Sequence, residues 1–338
     1  MRILIIGGGV FLGREALTAA LRRGHQVAVF NRGRARREWP SGVQVLTGER
    51  RVDAPALAAA GPWDAVIDTC GYCPADVLPT AEALADGPRY VFVSSVSAYA
   101  STARAGTTEA DALAGAEGLA SDAAVTAESY APLKAECERV LARRLGERLL
   151  VVRPGLIVGP GDVSGRFSYW PWRAAAGGRM LVPAAPASAV LQIIDVRDLA
   201  DWLIELAERD IGGRLNALGP VGGEAIGWVE LVAACQRGVQ GLGLEPAQPV
   251  AVAESLLQQQ GVAPWRELPL WLPSDDPEFA GFNAIDVGRA ASLGLRTRPL
   301  DDIVRGVLAE SIPPADDARL AGKLTPAREA ALLSLAVG

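Results

Sequence analysis

Tyr130 and Lys134 stand one helical turn apart in the run Tyr130-Ala131-Pro132-Leu133-Lys134. At positions i and i+4 of a helix, both side chains project from one face. A lysine ammonium beside a phenol favours the phenolate and lowers its pKa, so a normally unreactive tyrosine becomes a usable acid or base. Pro132 is tolerated only near a helix start, which places Tyr130 on the first turns. Chance explains the pair poorly, because Lys134 and Lys323 are the only lysines among 33 basic residues, and the chain has 5 tyrosines. Ser94 and Ser95 end the apolar run Tyr90–Val93 and can bring a hydroxyl beside the phenol.

A second chemistry lies at the start of the chain. The apolar run Arg2–Ile6 leads into Gly7-Gly8-Gly9-Val10-Phe11-Leu12-Gly13 and then a helical stretch from Arg14 to Arg23. Glycines let a backbone turn tightly and approach a pyrophosphate whose charge sits at a helix N-terminus. Gly7 and Gly13 take the first and last places of such a loop, with Val10 where a third glycine is usual. A strand-to-helix turn without a ligand is the plainer account. The next strand ends in Phe30-Asn31-Arg32-Gly33-Arg34, with no acid to bond a ribose 2′-hydroxyl. An arginine fork suits a 2′-phosphate, so NADP(H) is favoured and NAD(H) is the alternative. Arg36 and Arg37 deepen the positive field, although a solvated basic loop also accounts for those two.

These residues need a frame. Apolar strands at Arg2–Ile6, Gln26–Phe30, Val43–Leu46, Ala65–Asp68, Tyr90–Ser95 and Leu149–Arg153 alternate with helical stretches, as in a parallel sheet covered on both faces. The expected class is α/β, a doubly wound parallel (Rossmann) sheet with a smaller C-terminal substrate-binding lobe. The nucleotide domain is expected over residues 1–159 plus 190–218, the strand and helix of 190–208 returning to the sheet. The substrate lobe takes 160–189 plus 219–313, and 314–338 is an Ala-rich tail.

Together these motifs resemble the extended short-chain dehydrogenase/reductases, the NAD-dependent epimerase/dehydratase group. The resemblance rests on the Gly7–Gly13 loop, Val93-Ser94-Ser95-Val96-Ser97-Ala98-Tyr99, Tyr130/Lys134, Arg153-Pro154-Gly155-Leu156-Ile157-Val158-Gly159-Pro160 and Ile194-Asp195-Val196-Arg197-Asp198, over about residues 1–310. It implies that Ser95 polarises a substrate carbonyl or alcohol, that Tyr130 exchanges the proton, and that Lys134 holds the nicotinamide ribose. It also implies cofactor contacts from Gly7, Gly9, Val10, Phe11, Leu12, Gly13, Asn31, Arg32, Arg34, Cys70, Gly71, Ser94, Pro154 and Leu156, with Glu49 or Arg50 near the adenine. The Asp-Glu pair of sugar-nucleotide dehydratases is missing, since Val96-Ser97 follow Ser95. Leu156 stands where many epimerases carry Asn, which is closer to reductase members. Val10 is similar to a divergent branch that includes RNA-binding proteins, which tend to lack the full catalytic set.

Other constellations have plainer readings. Cys70-Gly71-Tyr72-Cys73 has redox-dithiol spacing but falls in the cofactor groove. The cysteines and the single histidine supply no metal site. Arg166-Phe167-Ser168-Tyr169-Trp170-Pro171-Trp172-Arg173 follows the sixth strand, where the mouth should be. Arg166, Tyr169 and Trp170, with Ser97, are the candidate substrate contacts, Arg173 is a second candidate clamp, and Trp265 and Trp271 are candidate lid residues. The aromatics serve equally as a seam between lobes.

The chain of 338 residues carries a net charge of −6 and is half apolar. That balance argues against nucleic-acid binding and disorder, and no apolar stretch reaches the roughly 18–20 residues of a membrane span. The sequence therefore reads as a cytoplasmic NADP(H)-preferring oxidoreductase acting on a carbonyl or secondary alcohol of a small molecule. An NAD-dependent sugar epimerase and a non-catalytic dinucleotide- or RNA-binding protein are the alternatives. A homodimer through the Tyr130 helix and its neighbour is expected by resemblance.

Overall fold

The computed structural model describes residues 1–34, 38–310, 312–314 and 316–336. Arg36 and Arg37 lie outside the described residues.

Seven parallel strands form the central sheet: β1 (Arg2–Ile6), β2 (Gln26–Asn31), β3 (Gln44–Thr47), β4 (Ala65–Asp68), β5 (Arg89–Val93), β6 (Leu149–Pro154) and β10 (Gly213–Ala217). Their spatial order is β10-β6-β5-β4-β1-β2-β3. Alternate residues of β1 serve opposite faces, which is why its apolar run is unbroken. Ile3 and Ile5 pack with α1 (Phe11–Arg22) and α6 (Val196–Glu208). Leu4 and Ile6 face the layer of α2 (Arg50–Ala59), α3 (Pro74–Ala83) and α4 (Ala127–Leu145).

Strand order reverses at β1, whose neighbours are β2 and β4. Such a switch point leaves a crevice beyond the carboxyl ends of the strands. Register sets the site there, because Ile6 pairs with both Phe30 and Asp68. The glycine loop, the Asn31 turn and the Cys70 turn thus emerge at one edge.

Two expectations change. Ile193–Asp195 (β9) does not return to the main sheet but pairs with Leu156–Val158 (β7) in a two-stranded sheet. The seventh main-sheet strand is β10, which the sequence reading passed over. Its signal is short, since Gly213 and Arg214 are exposed and only Leu215, Asn216 and Ala217 are buried. The Ala-rich tail contains α11 (Pro326–Leu335), whose Leu332 and Leu333 enter the core of the second lobe. That core also joins α5 (Tyr169–Ala175), the parallel pair β8 (Arg179–Pro183) and β11 (Gln248–Val252), α7 (Trp228–Gly241), α8 (Glu254–Gln259) and α10 (Leu300–Glu310). The short α9 (Gly288–Ser292) packs back on the sheet domain through Ala290. Among the described residues, no helix is long and apolar enough to cross a membrane.

Candidate active site

The glycine loop is built for close backbone approach. Gly7 has φ +92°, and a Cβ there would come within 2.8 Å of Cys70 Sγ and Thr69 Oγ1. A Cβ on Gly13 would strike the Gly7 carbonyl oxygen, so the first turn of α1 lies directly on the loop. At Gly9 a Cβ would meet only Trp39, 4.0 Å away, which leaves room on that side of the loop. Val10 is the N-cap of α1 and is 55% exposed, so its side chain does not fill the loop. Phe11 follows at φ +42°, a strained conformation for a bulky residue. Leu12, the second residue of α1, is buried.

At the end of β2, the Asn31 side-chain carbonyl accepts from Gly33 N–H at 2.7 Å, while its buried amide nitrogen has no partner among the described residues. Arg32 and Arg34 are exposed and make no ion pair among the described residues. A cradle that a Cβ would fill, a buried donor without a partner among the described residues and two exposed arginines on one edge suit an anionic dinucleotide.

Tyr130 is the fourth residue of α4. Thr126 caps the helix in a reciprocal box with Ser129, and Tyr130 N–H bonds the Thr126 carbonyl at 3.1 Å. Pro132 sits one turn deeper than a helix start strictly allows, at the sixth position of α4. Lys134, one turn on and 3% exposed, donates to the carbonyls of Gly71 (2.8 Å) and Val93 (2.7 Å). Its Nζ also lies 4.3 Å from the centre of the Phe92 ring. Ser95 Oγ accepts from Ser97 N–H at 3.1 Å, which leaves the Ser95 proton to donate.

The electrostatics correct one expectation. Burial pushes the Tyr130 phenol above its ordinary pKa, against the opposing effects of the Ser95 hydroxyl and the Arg166 charge. The ammonium of Lys134 is turned to backbone carbonyls, and burial pulls its own pKa down. Tyr130 therefore stands as a protonated phenol at neutral pH.

Glu138 continues the same helical face at i+8 from Tyr130. It accepts from Ser94 Oγ at 2.5 Å and from Arg153 Nε and Nη2 at 3.0 and 2.6 Å. Arg153 also lies over the Tyr99 ring at 4.6 Å. The sequence reading missed this buried pair, although the Tyr130-Lys134-Glu138 spacing carried the signal. Ser94 is thus occupied by Glu138, whereas Ser95 faces the phenol.

A second buried pair lies below the Cys70 turn. Arg50 donates to both Asp68 oxygens (3.0 and 2.6 Å), and Tyr90 Oη donates to Asp68 at 2.7 Å. Arg50 is consumed there; Glu49 is exposed beside it as the N-cap of α2. Burial raises the Cys70 thiol to about 11 and also raises Cys73, so both remain protonated thiols near neutral pH. Among the described residues, no group of acids, cysteines and histidine forms a metal site. Gly71 is buried, and Pro154 and Leu156 lie where β6 passes into β7.

On the substrate side, the structure separates the candidates. Trp170 is fully buried, donates its indole N–H to the Pro269 carbonyl at 3.1 Å and packs edge-on against Trp228. Tyr169 is 3% exposed and lies in the same core, its hydroxyl without a partner among the described residues. Both help build the lobe rather than an open wall, because the apolar seam drew them inward. Trp271 is likewise buried. Arg173 is neutralised by Glu329 at 2.7 Å. Arg166 remains exposed, 6.0 Å from the half-buried Trp265 ring, and Ser97 is half-buried beside Ser95.

No family model and no curated protein matches the sequence. Solved structures match the fold over nearly the whole chain. The enzyme WbmH of Bordetella bronchiseptica in complex with NAD+ is 17% identical, with a TM-score of 0.67, over 91% of this chain and 97% of that one. WbmG of the same organism, in complex with NAD and UDP, is 20% identical at TM-score 0.62, over 91% and 94%. The UDP-glucose 4-epimerase of Thermus thermophilus, complexed with NAD, is 18% identical at TM-score 0.58, over 91% and 98%.

Proposed function

We propose that the protein is an oxidoreductase of the extended short-chain dehydrogenase/reductase type, taking NADP(H) in preference to NAD(H) and acting on a carbonyl or secondary alcohol. The observation that carries this reading is the Ser95–Tyr130–Lys134 cluster at the switch-point crevice, one edge away from the glycine cradle. A bound nicotinamide supplies or accepts the hydride. The chain supplies everything else. Ser95 donates a hydrogen bond to the substrate oxygen, and Tyr130 Oη gives its proton to that oxygen as the carbonyl becomes an alcohol. Lys134 commits two donors to Gly71 and Val93 and keeps a third for a ribose hydroxyl. A phenol held protonated by burial suits the reducing direction.

Exposed Arg32 and Arg34, with the buried Asn31 amide that has no partner among the described residues, support a 2′-phosphate site. Epimerisation is the second reading, favoured by the name of the Thermus fold neighbour. It would leave no net reduced cofactor after turnover. We further propose a homodimer through α4 and its neighbour, to be checked by sedimentation, and a cytoplasmic location, to be checked by cell fractionation.

The test pairs two variants. Arg32→Gln should weaken NADPH by about 10- to 100-fold and leave NADH nearly unchanged, one charge-assisted bond being worth about 1.5–3 kcal/mol. Tyr130→Phe should retain NADPH binding and lose about 10²- to 10⁴-fold in turnover. Equal binding of NADH and NADPH by the wild type would overturn the cofactor preference. Turnover unaffected by Tyr130→Phe would overturn the catalytic assignment, and NADPH binding without any turnover in the wild type would leave a dinucleotide-binding protein.

A further inference from the structure

We propose that Arg166 and Lys323 form an oxyanion-binding subsite at the entrance to the Tyr130 site, taking a carboxylate or phosphate group of the substrate. The subsite rests on the reading of Tyr130 as the reacting acid.

Three segments far apart in sequence meet there. The loop after β7 carries Arg166 and is held against the segment before α11 at Gly165, where φ is +61° and a Cβ would strike the Arg319 carbonyl. That segment carries Lys323, and its Leu324 N–H donates to the Glu267 carbonyl at 2.9 Å. The Glu267 turn in turn holds Trp265, whose ring lies 6.0 Å from the Arg166 guanidinium. The charge of Arg166 reaches Tyr130, Lys323 and Asp162.

Neighbouring cations are neutralised: Arg173 pairs with Glu329 and Arg319 with Asp317. The side chains of Arg166 and Lys323 make no ion pair or hydrogen bond among the described residues. The acid within their reach, Asp162, is 6% exposed and already accepts from Ser164 N–H (2.8 Å) and Oγ (3.0 Å). Two cations beside one buried acid leave a surplus positive charge. Burial, and then the repulsion from Arg166, pull the Lys323 pKa down, so the pair is unfavourable until an anion joins it. Lys323 is also one of only two lysines in a chain that otherwise uses arginine. Bound by both cations, an oxyanion would hold the substrate with its reacting carbon toward Tyr130.

The lysine count supplies the assay. The full chain, saturated with NADP+ to fill any 2′-phosphate site, is acetylated with limiting acetic anhydride at constant ionic strength. Mass spectrometry follows Lys323 against the N-terminal amine as internal reference. Inorganic phosphate and acetate are the probes, and chloride is the control. At an anion concentration ten times its Kd, Lys323 labelling should fall about tenfold by mass action while the reference is unchanged. Stronger protection by phosphate assigns a phosphate group, and stronger protection by acetate assigns a carboxylate. Arg166→Gln should abolish protection with NADPH affinity retained. Lys323 labelling equal in all three anions, or protection persisting in Arg166→Gln, overturns the subsite. Because labelling needs no turnover, failure here is distinguishable from failure of the Tyr130 assignment.

Discussion

Replacing Glu138 by Gln keeps the shape of the side chain and removes its charge opposite Arg153. Both side chains are almost fully buried, at 2% and 1% exposure, and are joined by a two-pronged bond with distances of 3.0 and 2.6 Å. Breaking a buried pair by removing one partner costs about 3–5 kcal/mol, because the remaining charge is left uncompensated. Arg153 keeps its place over the Tyr99 ring and a 3.4 Å bond to the Glu109 carbonyl, so the lower end applies. Ser94 loses nothing essential, since the Gln carbonyl still accepts its proton. We expect a loss of about 3 kcal/mol, which is about 1 M in urea midpoint at a slope of about 3 kcal/mol/M. The control is Asp301→Asn, which breaks the exposed Arg237–Asp301 pair at 2.8 Å and should cost less than about 1 kcal/mol. A double change, Glu138→Leu with Arg153→Met, should regain much of the loss, because apolar groups of similar volume need no partner. The reasoning fails if Glu138→Gln shifts the midpoint no more than Asp301→Asn does. It also fails if the double variant is as unstable as the single one.

Gly13→Ala drives a methyl into the Gly7 carbonyl and should cost about 1–3 kcal/mol in thermal stability, with weakened NADPH binding by fluorescence titration. Lys134→Met leaves the Gly71 and Val93 carbonyls without their donor; at about 1–3 kcal/mol per unsatisfied buried group, the melting temperature should fall and NADPH affinity with it. Burial pushes the Asp68 pKa up, but Arg50 and the bonds from Tyr90 and Cys70 outweigh it and hold the carboxyl below its ordinary value. A depressed folded pKa stabilises above the unfolded pKa, near 3.9, and that stability is lost as pH falls through the folded one. The wild type should therefore lose more melting temperature than Asp68→Asn between about pH 4 and pH 2 by calorimetry.

Local order was legible along the chain. Ile3–Ile6 is buried on both faces, so its apolar run could only belong to a sheet covered twice, and the glycines at 7 and 13 marked the loop that follows. The Tyr130–Lys134 spacing put both residues on one turn of helix because an α-helix repeats near four residues. Strand β10 escaped notice because only three of its residues are buried. For Tyr169 and Trp170 the sequence leaves two places open, because an aromatic run looks the same whether it lines a mouth or fills a core, and the structure puts both in the core.

The sequence by itself therefore determined six of the sheet's seven strands, the loop and the helical face shared by Tyr130 and Lys134, all of which follow from short-range periodicity and backbone freedom. Only the tertiary structure decided which charges are spent. Arg50, Arg153 and Arg173 are paired with acids between 15 and 156 residues away in the chain, whereas Arg166 makes no ion pair among the described residues. It likewise set the direction of the Tyr130 shift, because the burial that raises the phenol's pKa comes from packing, which no local spacing encodes.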